Sequence, residues 1–265
     1  MKIPCSVEIL TLNSEKTLKR CLESVRDFED IIILDGGSTD GTVALAEKYG
    51  ACVIPQTDAR EKEVKINDFS AVRNKGVKQA RYPWFLFIDS DEYLSPEAVA
   101  EMREIVNQEQ NNIHYAYKLP RKYVVNGEVV ERSSMYPNYQ LRFFYIPATF
   151  GFIKKIHERI SVKEGYEIGI LKNPEYVPMG DISTLKKKWY NYAQMQIHTM
   201  KVTPKTFSGL FLSNSLIFVK YLIKYALTFM RGSGKRMPFL YEWYNACYHI
   251  WLIKEAFISL VKVKK

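Results

Sequence analysis

Four apolar runs of strand length alternate with helix-patterned stretches in the first hundred residues, and this alternation constrains the fold more than any other feature. The runs are Ser6–Leu12, Ile31–Leu34, Ala51–Ile54 and Trp84–Ile88. The second and fourth are continuously apolar, as expected of strands covered by helices on both faces. Between them, residues 15–26 place Leu18, Cys21, Leu22 and Val25 on one helical face, with Asn13 or Ser14 available as a cap. A second helix begins near Val43, a third suits residues 69–80, and Ser95-Pro96-Glu97 opens a fourth with Ser as N-cap and Pro at the first helical position. Such alternation specifies βαβ units and a parallel sheet. A chain that is 47% hydrophobic can bury a core of that size.

The pattern changes after residue 112. Tyr123–Val130 (YVVNGEVV) reads as a hairpin closed by an Asn-Gly turn, and Tyr139–Tyr145 as a further strand. From Leu185 onward the chain reads as helical. The predicted organisation is an α/β catalytic domain over residues 1–205, with a mainly parallel sheet flanked by helices, followed by an amphipathic, basic helical extension over residues 206–265.

Ligands of open α/β sheets bind at the carboxyl ends of the strands. There Asn13 follows the first strand, Asp35 the second, and Asp89-Ser90-Asp91-Glu92 the fourth. Three carboxylates at one strand end repel one another unless a cation neutralises them. Oxygen ligands of this kind suit Mn²⁺ or Mg²⁺, which can bridge a carboxylate to a diphosphate. That chemistry favours a sugar diphosphate, whose leaving group gains charge as the glycosidic bond breaks.

Four segments together, in their order and spacing, resemble family 2 glycosyltransferases: Ser6–Asn13 (SVEILTLN), Ile33–Thr42 (ILDGGSTDGT), Arg73–Gly76 (RNKG) and Phe87–Glu92 (FIDSDE). Tyr136–Phe144 (YPNYQLRFF), followed by Ile156-His157-Glu158-Arg159, is similar to the branch that builds lipopolysaccharide cores and other cell-surface glycans. The resemblance implies a GT-A fold and an inverting transfer from a nucleotide sugar, with UDP the expected carrier, to a hydroxyl of a glycan or lipid-linked acceptor. By the same resemblance Asn13 lies beside the base, Asp35 contacts the nucleoside, and Asp89 approaches the donor ribose or sugar. Asp91, with Asp89, holds the metal. Arg73 and Asn74 reach the donor sugar or diphosphate. Gln140 and Arg142 alternate with Leu141 and Phe143, which puts both polar side chains on one strand face, directed at the cleft. The catalytic base is Glu158 or Asp181. Two positions depart from the family: Asn138 stands where many relatives have Asp, and Val177–Asp181 lacks the His that often completes the metal site, leaving Asp181 as an alternative oxygen ligand.

The net charge of +9 is distributed unevenly. Residues 185–265 carry 14 Lys/Arg and two acids, whereas the preceding 184 residues carry 24 Lys/Arg and 27 acids. The basic tail suggests an anionic partner. Within residues 206–230, Lys220 and Lys224 are four apart and share a helical face, and the longest uncharged stretch, Thr206–Val219, is too short to span a bilayer. An amphipathic helix on a membrane surface is therefore expected. No nucleic-acid motif appears, which argues against nucleic acid as a partner. A nucleotidyltransferase would need a Gly-rich basic loop after the first strand, and residues 8–20 contain none. Cys5, Cys21, Cys52 and Cys247 are scattered, and the first residues run into a strand pattern without an apolar leader. Both features predict a cytoplasmic enzyme, peripheral on the inner face of a membrane.

Overall fold

β1 (Ile3–Thr11) is sandwiched between two parallel neighbours, β2 (Phe28–Asp35) and β4 (Trp84–Asp89). Its side chains alternate between two different interiors. The computed structural model describes all residues except 58–61, 65, 67, 109–112, 155–158, 231 and 263–265. The described chain divides into two compact units, Met1–Lys122 with Asn138–Val177, and Tyr123–Pro137 with Pro178–Lys265.

In the first unit the chain runs β1, α1 (Glu15–Val25), β2, α2 (Thr42–Lys48), β3 (Cys52–Pro55), α3 (Phe69–Gln79), β4, β5 (Tyr93–Leu94) and α4 (Pro96–Asn107). There follow β6 (His114–Val125), β7 (Glu128–Val129), β8 (Tyr139–Tyr145), β9 (Thr149–Ile153), β10 (Arg159–Val162), β11 (Glu167–Ile170) and β12 (Glu175–Pro178). β7 belongs to the second unit. The strand order is β3-β2-β1-β4-β8-β6-β12-β5. β3, β2, β1 and β4 are parallel, as the four βα repeats require, and β8 joins β4 antiparallel.

One sheet face carries Val7, Ile9, Ile31, Ile33, Trp84, Leu86 and Ile88, packed with Leu18, Cys21 and Leu22 of α1 and Met102 of α4. On the other face Ile32 and Leu34 meet Val72 of α3, and Phe85, Phe87 and Phe144 meet Phe152 and Ile160 of the β9–β10 hairpin. The two-residue period of the strands, acting on continuous apolar runs, creates these two cores. Asn74 couples α3 to the hairpin. Its Oδ1 accepts from Phe152 N at 2.8 Å and its Nδ2 donates to Phe152 O at 2.9 Å. Gly151, at φ +80°, passes so close that a Cβ there would lie 2.6 Å from Asn74 Oδ1.

The strand β8 is not regular. Tyr117 lies opposite Phe143 and Lys118 opposite Leu141, so Arg142 is an extra residue, a β-bulge. Strict alternation fails as a result. Leu141 packs beside Phe85 and Phe144 while Phe143 enters the core on the opposite face. The regular alternation expected along Gln140, Leu141, Arg142 and Phe143 is corrected by this bulge.

The second unit is built from the hairpin at residues 123–137 and three helices, α5 (Ile182–His198), α6 (Pro204–Leu227) and α7 (Phe239–Lys262). Asn126 at φ 53° and Gly127 at φ 79° form the predicted tight turn. Arg132 donates to the carbonyls of Thr228, Gly232 and Gly234, and Ser134 N donates to the buried Glu242 carboxylate at 2.8 Å. Ala193 and Ile197 of α5 share one core with Leu252 and Ala256 of α7. For that reason the units do not divide at residues 205/206 as the sequence suggested. α5 buries its apolar face against α7 and so belongs with the later helices, and the hairpin is held by hydrogen bonds to the turn that follows α6.

Replacing Asn74 with Ala orphans a buried N–H and C=O of Phe152 and should lower unfolding free energy by about 2–4 kcal/mol, read from urea denaturation, without lowering the helical circular dichroism of the folded protein.

Candidate active site

Three loops meet at the carboxyl ends of β1, β2 and β4, and short polar side chains knit them together. Asn13 adopts φ 50°, a left-handed conformation tolerated by Asn. It donates from its backbone to Ser38 Oγ at 2.9 Å, accepts from Thr39 N at 2.8 Å, and donates from Nδ2 to Glu63 Oε1 at 2.9 Å. Ser14 N donates to Thr42 Oγ1 at 2.7 Å, and Ser14 Oγ lies 2.9 Å from Ser90 Oγ. Asp40 accepts from Thr42 N at 3.0 Å and from Glu15 N at 3.2 Å, tying the starts of α2 and α1 together.

Asp35 is the organiser of the β2 loop. Its Oδ1 accepts from Thr11 Oγ1 at 2.8 Å and Ser38 Oγ at 2.6 Å, and its Oδ2 from Gly37 N at 2.9 Å and Ser38 N at 2.8 Å. Both oxygens are turned into the loop, so this carboxylate shapes the rim.

Beneath the rim lies a network of buried charge. Arg73 of α3 donates to Glu8 Oε1 at 2.9 Å and to Asp89 Oδ1 at 2.7 Å. Arg142, aimed inward by the bulge, donates to Asp89 Oδ2 at 3.1 Å and Glu92 Oε2 at 2.5 Å, and its Nε lies 3.4 Å from Glu175 Oε1. Arg121 closes the circuit, pairing with Glu92 and, at 2.8 Å, with Glu175. The Arg73 and Arg142 guanidiniums lie 4.6 Å and 4.9 Å from the Phe87 ring centre. Gly76 leaves room for this network, since a Cβ there would fall 1.9 Å from Glu8 Oε2. The Arg73–Gly76 segment is thereby explained residue by residue: Arg73 neutralises Glu8 and Asp89, Asn74 holds β9, and Gly76 makes space for the Glu8 carboxylate.

The network contains four carboxylates, Glu8, Asp89, Glu92 and Glu175, and three guanidiniums. One negative charge is left over, and a proton can remove it. Burial opposes ionisation of Asp89, but the Arg142 and Arg73 guanidiniums outweigh it and hold that carboxyl well below the usual carboxylate range. For Glu92 burial dominates and, with Asp89 and Glu175 nearby, pushes the carboxyl up to about 8 against the pull of Arg142 and Arg121. Within one network the guanidiniums thus lower the Asp89 carboxyl, whereas burial raises that of Glu92.

These contacts place the remaining candidates. Asn74 does not reach toward a donor, because both ends of its amide are bound to Phe152. Arg73 and Arg142 are buried beneath Asp89 and act on it from below. Asp89 presents a side chain that is 41% exposed, with a guanidinium partner on each of its oxygens. Asp91 is exposed at the rim. Among the described residues no three His, Cys, Asp or Glu side chains form a ready-made metal cluster. Asp181 belongs to the second unit and caps α5, accepting from Ser183 N at 2.9 Å and Thr184 N at 3.4 Å. Hydrogen bonds from Ser183 lower its pKa, which makes it a helix cap and a weak base. Glu158 lies outside the described residues. Its neighbour Arg159 lines a cleft of about 430 Å³ with Phe87, Lys118, Gln140 and Ile153. Sequence reasoning missed Glu8, Arg121 and Glu175. Only Glu8 carried a signal: an acid inside an otherwise apolar strand is buried and must be paired.

A model of glycosyl transferase family 2 matches residues 6–172, more than half of the chain. The SPbeta prophage-derived glycosyltransferase SunS of Bacillus subtilis (strain 168) is 38% identical over 98 residues, covering 37% of this chain and 22% of SunS. The lipopolysaccharide core biosynthesis glycosyltransferase LpsC of Rhizobium meliloti (strain 1021) is 35% identical over 112 residues, 40% of each protein. The matched segment therefore spans less than half the length of these relatives. Among solved structures, S. aureus TarS 1-349 in complex with UDP-GlcNAc aligns over 98% of this chain and 84% of that one, at 18% identity and a TM-score of 0.45.

Two outcomes are expected of the charge network. Arg142→Ala removes one guanidinium from Asp89 and from the buried Glu92 and Glu175 and should cost about 3–5 kcal/mol of stability in urea titrations. Glu92 binds its proton more tightly folded than unfolded, so its contribution is complete below its unfolded pKa near 4.5 and is lost as pH rises toward about 8. Glu92→Gln, a permanent mimic of the protonated form, should remove that loss, and wild type should fall behind the variant in unfolding free energy across this window.

Proposed function

The chain belongs to glycosyl transferase family 2, and from that premise we propose that it transfers a sugar from a nucleotide sugar, with UDP as the carrier, to a hydroxyl of a cell-surface glycan or lipid-linked acceptor. The observation that carries this reading is the convergence of the Asn13, Asp35–Ser38 and Asp89–Asp91 loops at the carboxyl ends of three parallel strands, above a floor that holds Asp89 ionised.

In this reading the nucleoside rests on the rim formed by Asn13 and the Asp35 loop. Asp89, fixed between two guanidiniums, accepts hydrogen bonds from hydroxyls of the donor ribose or sugar. A preorganised acceptor of that kind aligns the anomeric carbon without reorganising during the reaction. Asp91 is exposed, and its carboxylate would hold a hard divalent cation, Mn²⁺ or Mg²⁺. When bound, such an ion offsets the charge that gathers on the departing diphosphate. Transfer is a direct displacement: the acceptor oxygen bonds to the anomeric carbon as the bond to the diphosphate breaks, and the acceptor proton passes to a carboxylate base. Glu158 is the base in this reading, because Asp181 is engaged as a helix cap. Gln140 and Arg159 line the cleft beside Phe87, two residues before Asp89 on β4, and the acceptor enters there.

A second reading is favoured by one residue. Asn138 occupies a position where many relatives carry Asp, so a protein that binds sugar nucleotides without turnover fits as well. Incubation with UDP-, GDP- and CMP-sugars, with and without Mn²⁺, separates the two. The enzyme should release nucleotide only with metal, and Asp91→Ala should reduce the rate by about 100-fold or more. Saturable donor binding with no release, even with crude lipid acceptors, would establish the second reading. Pyrophosphate formed from a nucleoside triphosphate and a sugar phosphate would overturn both.

A further inference from the structure

The second unit has an apolar core that includes Ala193, Ile197, Leu252 and Ala256, and it also buries Asn214, Thr228, Glu242 and Glu255. Asn214 Oδ1 lies 2.8 Å from His249 Nδ1, Glu242 accepts from Ser134 N at 2.8 Å, and Tyr190 OH donates to Glu255 at 2.7 Å. The exterior of α6, by contrast, presents Leu212, Leu216, Val219, Ile223 and Leu227, each between 38% and 63% exposed. Their spacing of three and four residues aligns them in one stripe along the helix. The opposite side of α6 is the one that packs on α7, through Phe218 against Trp243 at 6.0 Å, Tyr221 against His249 at 5.6 Å and Tyr225 against Phe239 at 5.8 Å. An unbroken apolar stripe several turns long, facing away from the core, marks an interaction surface.

Charge identifies what covers it. Residues 185–265 carry 14 basic and two acidic side chains. A second copy of the chain would bring this charge onto an equal charge of the same sign, whereas an anionic bilayer attracts it. Lys205 and Lys220 of α6 are exposed and placed for headgroups. Lys224, one turn on, is partly buried, and its Nζ donates to the Tyr136 carbonyl at 2.9 Å. That bond, with the hold of Arg132 on the carbonyls of Thr228, Gly232 and Gly234, fastens the carboxyl end of α6 to a polar hairpin. Although α6 is long and apolar enough by composition to cross a bilayer, crossing would carry that hairpin into lipid. The helix therefore lies along the surface.

We infer that the α6 stripe is a membrane-docking face, seated in the headgroup–acyl boundary of an anionic bilayer. The inference stands on the second unit alone and is independent of the reaction assigned to the first. Flotation of the full chain tests it, with vesicles of phosphatidylcholine alone and of phosphatidylcholine with phosphatidylglycerol. The protein should float with the anionic vesicles, and Lys205→Glu with Lys220→Glu should lower that recovery. The triple variant Leu216→Ser, Val219→Ser, Ile223→Ser should partition about a hundredfold less, with an unchanged thermal melt because all three side chains are outside the core. The inference is overturned by wild-type protein that stays with the soluble fraction on anionic vesicles at low salt, or by a triple variant that floats as well as wild type. Light scattering gives a further check: a dimer that the triple variant converts to monomer would show that a second copy covers the stripe. Resistance to alkaline carbonate extraction would show a helix that spans the bilayer and would also overturn the docking geometry.

Discussion

Asp89 stands at the end of a buried strand with a guanidinium on each of its oxygens, and most of the first unit is arranged to keep it so. Arg73 arrives from α3, Arg142 from a bulge in β8, and Arg121 from β6, while Glu8, Glu92 and Glu175 pair with them in the interior. Taking so many charges out of water is costly, and it is tolerable only because each is paired and hydrogen-bonded. The consequence is a fixed anionic group at the mouth of the sheet that resists protonation. That property suits a residue required to bind hydroxyls in one geometry throughout a reaction.

The same network explains local features that have no obvious meaning singly. Gly76 is small because Glu8 needs the space. The bulge at Arg142 breaks the pleat because a regular strand would direct that side chain elsewhere. β5 is only two residues long, yet its pairing with β12 sets Glu175 where Arg121 and Arg142 can both approach Glu175. The rim above is built differently, from Ser, Thr and Asn side chains and backbone amides. Short neutral groups can be satisfied by one another at a loop, whereas the guanidiniums below need acids.

The second unit obeys other physics. Besides its apolar core it buries several polar groups, and it leaves a stripe of aliphatic side chains on α6 outside. Its basic composition and the anchoring of α6 to the 123–137 hairpin give that stripe a direction, toward a lipid surface.

Much of the architecture was legible in the residues themselves. The alternation of apolar runs and helical faces determined the parallel core, because side-chain periodicity is a local property; Ser95-Pro96-Glu97 marked the start of α4 and Asn126-Gly127 the hairpin turn for the same reason. The positions of Asn13, Asp35, Asp89 and Asp91 at strand ends followed directly from that pattern. What each side chain touches was decided by tertiary structure. Glu8 and Arg73 are 65 residues apart and Asp89 and Arg142 are 53 apart, so no local rule pairs them. A bulge, invisible in the sequence of β8, reassigned Arg142 and separated Leu141 from Phe143. Asn74 reads as polar and available until β9 is brought against it, and Asp181 reads as a possible base until α5 begins at the next residue. Sequence determined which segments form strands and helices and which polar groups end them; only the packed chain determined which of those groups remain for a ligand, because hydrogen bonds and ion pairs are formed between segments that sequence order keeps far apart.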